Sequence, residues 1–190
     1  MLNKFFIAFS LLFLSLSAYA GSAPVVKITT SKGDIEIELN AQKAPKTVKN
    51  FLRYVNRGQY NGTVFHRVIK GFMVQGGGYD TRFQKKHTEQ AIVNEADNGL
   101  KNDRGTIAMA RTNVPHSATA QFFINTANND SLNYTGKTMS GWGYAVFGKV
   151  TKGMQVVDNI ENTKTGAKAP FTRDAPLQDI IIEKIEVISE

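Results

Sequence analysis

VVKITTSKGDIEIEL, residues 25–39, holds two short β-rich runs, 25–30 and 35–39, on either side of Ser31-Lys32-Gly33-Asp34. Runs of this kind bounded by turn chemistry predict a β-hairpin. In the second run Ile35, Ile37 and Leu39 alternate with Glu36 and Glu38, which places the carboxylates on the face opposite the apolar side chains. The two acids are therefore read as solvent-facing and not as a catalytic pair. Just beyond, Pro45 stands where a helix can begin, Val48, Phe51, Leu52 and Val55 recur at i, i+3, i+4 and i+7, and Gly58 offers a left-handed stop. The spacing predicts an amphipathic helix, whose apolar stripe needs a surface to cover.

Further strands supply that surface, at 63–68, 72–75, 106–110, 121–125, 145–150 and 180–188. A second helix is expected over about 152–160, where Met154, Val157 and Ile160 share a face. Two helices among many strands do not make a βαβ alternation. A mainly antiparallel chain can close on itself with each helix covering an open end, so the expected fold is mainly β, a closed barrel flanked by two helices. The Gly- and Asn-rich stretches 76–104, 111–120, 126–143 and 161–179 are read as surface loops, where function usually sits.

The chain has 190 residues, enough for one compact domain. Its start differs in kind: Lys4 precedes an almost unbroken apolar run, 5–16, followed by Ala18-Tyr19-Ala20. That pattern reads as a secretory signal peptide over 1–20 with cleavage after Ala20, leaving a domain at 21–190. The run is short for a permanent anchor, so no stable membrane insertion is expected after cleavage. A single lysine without an Arg-rich amphipathic pattern points to bacterial export, to a periplasm or beyond. There are no cysteines, so the fold must stand without disulfides. Losing Lys4 with the leader takes the basic count from 23 to 22 against 16 acidic residues, a formal charge of +6. The excess is scattered, Lys85-Lys86 being one adjacent pair, and it reads as a solvated surface with no nucleic-acid signature.

Several chemistries lack their residues. His66, His87 and His116 have no metal-binding spacing and no cysteine to complete a zinc site, so no metal and no cofactor are expected. His66 is read as a structural, hydrogen-bonded histidine. Ser117 sits in a polar loop without a GxSxG elbow. Gly76-Gly77-Gly78 lacks the Lys and Ser/Thr of a phosphate loop and is better read as backbone needing room. Such a profile suits a reaction that breaks no bond.

FHRVIKGFMVQGGG (65–78), GTIAMAR (105–111), AQFFIN (120–125) and YAVFGKV (144–150) together resemble the cyclophilin family of peptidyl-prolyl cis/trans isomerases. NEADNGL (94–100) is similar to the bacterial exported branch. The resemblance implies an eight-stranded antiparallel barrel capped by a helix at each end, with a shallow peptide groove on one outer face. It implies that Arg67 is catalytic and that Phe72, Met73, Phe123 and Leu132 wall a proline pocket. Gln75 and Gln121 match the family's polar contacts, Ala110, Arg111 and Thr112 its backbone-binding edge, and Tyr144 a position where many members place histidine. The partners it implies are proline-containing unfolded or flexible polypeptides, met by a monomer.

Amide resonance sets a rotational barrier of about 18–20 kcal/mol. A guanidinium that donates to the prolyl nitrogen as it pyramidalises binds a lone pair the planar ground state does not offer, and so favours the twisted transition state. Taken singly, Phe72, Phe123 and Leu132 read as core, Met73 as a gap filler and Arg67 as a salt-bridge partner. The joint pattern favours the groove. Lys70 stands where proline is common in eukaryotic members, and Ser131 where a tryptophan often contacts cyclosporin, with Trp142 nearby in sequence as a partial substitute. Two rival readings are a peptide-binding chaperone or host-directed interaction protein using the same groove, and a structural envelope protein.

Overall fold

The computed structural model describes residues 23–189. The signal-peptide reading of 1–20 lies outside the described residues. Ten strands form: β1 (Val25–Thr30), β2 (Gly33–Leu39), β3 (Thr63–Ile69), β4 (Met73–Asp80), β5 (Thr106–Met109), β6 (Phe122–Asn125), β7 (Val146–Lys152), β8 (Thr165–Lys168), β9 (Phe171–Pro176) and β10 (Ile181–Ser189), with helices α1 (Pro45–Asn56) and α2 (Met154–Glu161). Eight strands close into an antiparallel barrel in the order β1-β10-β3-β4-β6-β5-β7-β2, and β8 and β9 form a separate two-stranded sheet. The expected mainly β fold, a closed eight-stranded barrel with two helices, is borne out.

Period-two alternation sorts the barrel's side chains into two groups. Ile35, Ile37, Leu39, Val74, Ile107, Phe122, Ile124 and Phe147 point inward to one core that α1 and α2 complete with Phe51, Val157 and Ile160. Their neighbours Met73, Ala108, Phe123 and Val146 form a second, outer cluster. Glu36 and Glu38 face outward as expected and pair with Lys152 and Lys149 on β7 at 2.9 and 3.3 Å.

Helix α1 lacks a local side-chain cap, since Ala44 precedes Pro45. Glu95 closes its start instead: the amides of Lys46 and Thr47 donate to its carboxylate at 3.1 and 2.8 Å, and the Thr47 hydroxyl donates at 2.7 Å. A carboxylate there also complements the positive helix end. Gly58 takes φ +64°, the left-handed stop expected of it.

Three expectations need correction. Strand β4 runs on through Gly76, Gly77 and Gly78, which the sequence placed in a loop. The glycines are there for space, because a Cβ at Gly76 would lie 3.0 Å from Phe65, at Gly77 2.9 Å from Tyr60, and at Gly78 2.4 Å from Gln121. The second helix begins at Met154 and not Lys152, which is the last residue of β7; Gly153 makes the turn between them at φ +84°. The stretch 161–179 is not wholly loop but holds the β8–β9 hairpin, whose polar, proline-flanked strands show no apolar alternation. Among the described residues no helix is long and apolar enough to cross a membrane.

Candidate active site

The outer cluster is the floor of the site. Met73 on β4 and Phe123 on β6 are buried, and Phe72, Ala110, Leu132 and Tyr144 pack over the same cluster half-exposed. Together with Arg67, Gln75 and Arg111 they line one concavity of about 140 Å³. Nine of the eleven residues singled out in the sequence thus meet at one place, although they span positions 67 to 144. The other two, Thr112 and Gln121, line an adjoining depression of about 260 Å³ that shares Gln75, Ala110 and Arg111 with the first.

Each wall has a local cause. Phe123 turns outward because its neighbours Phe122 and Ile124 are committed to the barrel core. Tyr144 meets the Phe123 ring edge-on at 5.6 Å between centroids. Arg111 lies over the Tyr144 ring at 4.6 Å, and its Nε and Nη1 donate to the Gly143 and Thr112 carbonyls, both at 2.8 Å. The Arg111 guanidinium is thereby committed to structure. Thr112 is pinned by Ser117, whose Oγ accepts from the Thr112 amide at 3.0 Å.

The polar side is a short relay. Arg67 Nη1 approaches Gln75 Oε1 at 3.5 Å, and Gln75 Nε2 donates to Gln121 Oε1 at 2.9 Å. Gln121 can take this place because Gly78 has no side chain. Nη2 of Arg67 has no hydrogen-bond partner among the described residues, so one edge of a permanently charged fork is open.

Sequence reasoning missed the amides that hold the rim. Asn129 donates to the Phe72 carbonyl at 2.8 Å and to Asn125 Oδ1 at 2.7 Å. Asn125 donates to Asn102 Oδ1 at 3.2 Å, and Asn102 reaches the carbonyls of Leu132 and Tyr144 at 3.1 and 3.3 Å. These three buried asparagines tie Phe72, Leu132 and Tyr144 into one frame. The Asn-rich composition of the loops was the visible signal. Trp142 is not part of the wall; it packs edge-on against His116 and Tyr134, at 4.7 and 5.6 Å between centroids. It therefore does not stand in for the residue replaced by Ser131.

His66 keeps the structural place expected of it, with the Val64 backbone and the Gln121 side chain as hydrogen-bonding neighbours of the ring, but its buried Nδ1 has no hydrogen-bond partner among the described residues. The ring is 4% exposed and sits against Tyr79 and Phe171. Burial lowers its pKa from 6.5 to about 4, and the adjacent Arg67 charge acts in the same direction. A depressed folded-state pKa means that the unfolded chain takes up the proton first. The neutral ring's contribution is complete above about pH 6.5, erodes as pH falls, and is gone below about pH 4, a loss of about 3 kcal/mol. Urea midpoints measured from pH 7.5 to 4 should fall through this window, and a His66→Phe variant should show a flatter profile. Parallel profiles would show that His66 does not set the acid limit.

A family profile described as cyclophilin type peptidyl-prolyl cis-trans isomerase matches residues 25–187. The chain belongs to the cyclophilin family. Relatives of this cyclophilin include a peptidyl-prolyl cis-trans isomerase of Streptomyces antibioticus, 57% identical over 163 residues that cover 86% of this chain and 98% of the relative. Peptidyl-prolyl cis-trans isomerase B of Escherichia coli is 55% identical, over 86% of this chain and 99% of its own. A crystal structure of a Cryptosporidium parvum cyclophilin, determined in the presence of the dipeptide Ala-Pro, superposes with a TM-score of 0.70 at 32% identity over 87% of this chain and 99% of that one. The enzyme class read from the sequence, peptidyl-prolyl cis-trans isomerase, is borne out.

Proposed function

We propose that this cyclophilin is exported, works in the periplasm, and speeds folding of exported proteins by rotating X-Pro bonds in their unfolded or flexible segments, acting as a monomer. Arg67 is its catalytic residue and the outer-face concavity its prolyl pocket. The observation that supports this most directly is convergence: residues from five separate segments line one apolar cup beside a guanidinium nitrogen, Nη2 of Arg67, that has no hydrogen-bond partner among the described residues.

Phe72, Met73, Phe123 and Leu132 hold the prolyl ring by apolar contact. Gln75, Gln121 and the edge at Ala110, Arg111 and Thr112 grip the residues before it. With one side of the bond held, the other turns. Arg67 donates to the prolyl nitrogen as resonance is lost, an interaction stronger in the twisted state than in either planar isomer. No proton is transferred and no covalent bond is broken. The Ala-Pro dipeptide present with the Cryptosporidium parvum relative supports a proline-containing peptide as the ligand of this site.

Exchange NMR on a short X-Pro peptide tests the chemistry. Accelerated cis/trans exchange at substoichiometric protein supports the proposal, while binding without acceleration across several peptides would reduce the site to a chaperone groove. Export is tested separately by sequencing the amino terminus of protein from fractionated cells. A start at Gly21 in the periplasmic fraction is expected, and a bulk product retaining residues before Ala20 would overturn the cleavage.

A further inference from the structure

The β8–β9 hairpin stands outside the barrel, and nothing in the isomerase chemistry gives it a task. Yet β9 packs along β3, the strand that bears Arg67. Phe171, at the start of β9, stacks on His66 at 5.4 Å between centroids and meets Tyr79 edge-on at 4.9 Å. His66 immediately precedes Arg67, so an aromatic cluster pins the hairpin beside the proposed catalytic side chain.

The hairpin is also irregular at an informative place. Gly166 pairs with Ala175 and Lys168 with Phe171, which leaves Thr172, Arg173 and Asp174 opposite Ala167 alone. Asp174 lies in this bulge at φ +62°, a left-handed conformation uncommon outside glycine and tolerated best by Asn and Asp. Bulges recur beside active sites, where they re-aim a side chain. Here the re-aimed carboxylate places Oδ2 3.8 Å from Arg67 Nε, and 3.6 Å from Nε of the neighbouring Arg173.

Arg67 therefore has Gln75 at Nη1 and Asp174 at Nε, with Nη2 left open. A guanidinium on a half-exposed stem samples many rotamers, and a donor that wanders loses the alignment on which catalysis by orientation depends. We propose that Asp174 is a positioning residue for Arg67: its carboxylate, aimed by the β9 bulge, holds the guanidinium at Nε and leaves Nη2 for the prolyl nitrogen. The inference rests on the reading of Arg67 as the donor to that nitrogen.

Asp174→Asn tests it, because asparagine keeps the shape and the tolerance of a left-handed backbone while removing the charge. The expected result is a kcat lower by about three- to fivefold, the scale for losing a half-exposed ion pair, with KM and the thermal midpoint unchanged. A merely structural role would move the midpoint and leave kcat alone. In an Arg67→Lys background the same change should add nothing, since coupled residues are not additive. In the wild type, the Arg67 Hε proton should exchange with water more slowly than that of a free arginine side chain, and Asp174→Asn should remove this protection. If Arg67→Lys is impaired while Asp174→Asn keeps wild-type kcat, Asp174 has no positioning role and the reading of Arg67 survives. If Arg67→Lys itself keeps wild-type kcat, the reading of Arg67 fails first. Should Asp174→Asn prove unstable, an Hε exchange rate in the wild type equal to that of free arginine overturns the inference by itself.

Discussion

Arg67→Ala is expected to lower kcat/KM for X-Pro isomerisation by about 100- to 1,000-fold, the range seen when a donor to transition-state charge is removed from an active site. The loss should fall on kcat. The cup proposed to bind the prolyl ring is built from Phe72, Met73, Phe123 and Leu132, none of which needs Arg67 for its packing. The side chain is 43% exposed, so its removal opens no interior cavity and the thermal midpoint should hold. Arg67→Lys keeps the charge but not the planar fork, and should recover little of the rate. Exchange NMR at saturating peptide separates binding from turnover. A variant that binds normally and turns over at more than half the wild-type rate would remove Arg67 from the chemistry.

A large loss of stability is expected on substitution of Gly77. Its φ of +80° costs an L-residue about 1–2 kcal/mol. An added Cβ would also lie 2.9 Å from two atoms of the Tyr60 ring and 3.0 Å from Phe122. Neither ring is free to retreat, because Tyr60 is fully buried with its hydroxyl donating to the Ala120 carbonyl at 2.8 Å, and the two rings already meet edge-on. Overpacking of this kind adds about 1–3 kcal/mol. Gly77→Ala should therefore lose about 2–5 kcal/mol in urea unfolding, a large share of the 5–15 kcal/mol typical of a domain. Gly71→Ala is the matched control, with φ +72° but nothing among the described residues within 4 Å of an added Cβ. It should show the conformational cost alone, and equal losses at the two positions would mean that the clash at Gly77 relaxes.

These two sites also mark where sequence reading succeeds and where it stops. Strand β2 was legible because its inward positions Ile35, Ile37 and Leu39 keep period two, and the α1 stripe because Val48, Phe51 and Val55 keep the helical one. That alternation could not say which of Phe122 and Phe123 serves the barrel and which the cup, since both are buried. Only family resemblance made that choice, and it also nominated Leu132, whose place depends on asparagines that carry no periodic signal. The β8–β9 hairpin was invisible for a different reason. Its strands bury little of their own, and Phe171 finds its partners, His66 and Tyr79, roughly a hundred positions earlier in the chain. Likewise Glu95 as the cap of α1 is a contact across 48 and 49 positions, beyond any local capping pattern.

The pairing of β1 with β10, Val26 against Val187 and Ile28 against Ile185, has a consequence for how the protein comes into being. Strand β10 is the panel between β1 and β3, so until it has been synthesised the cylinder has a missing stave and its apolar interior stands open to water. Completion must wait for a contact that spans nearly the whole described chain, and closing so long a loop is entropically slow. A nascent chain of this design stays loose during synthesis and becomes a catalyst only in the step that seals the wall.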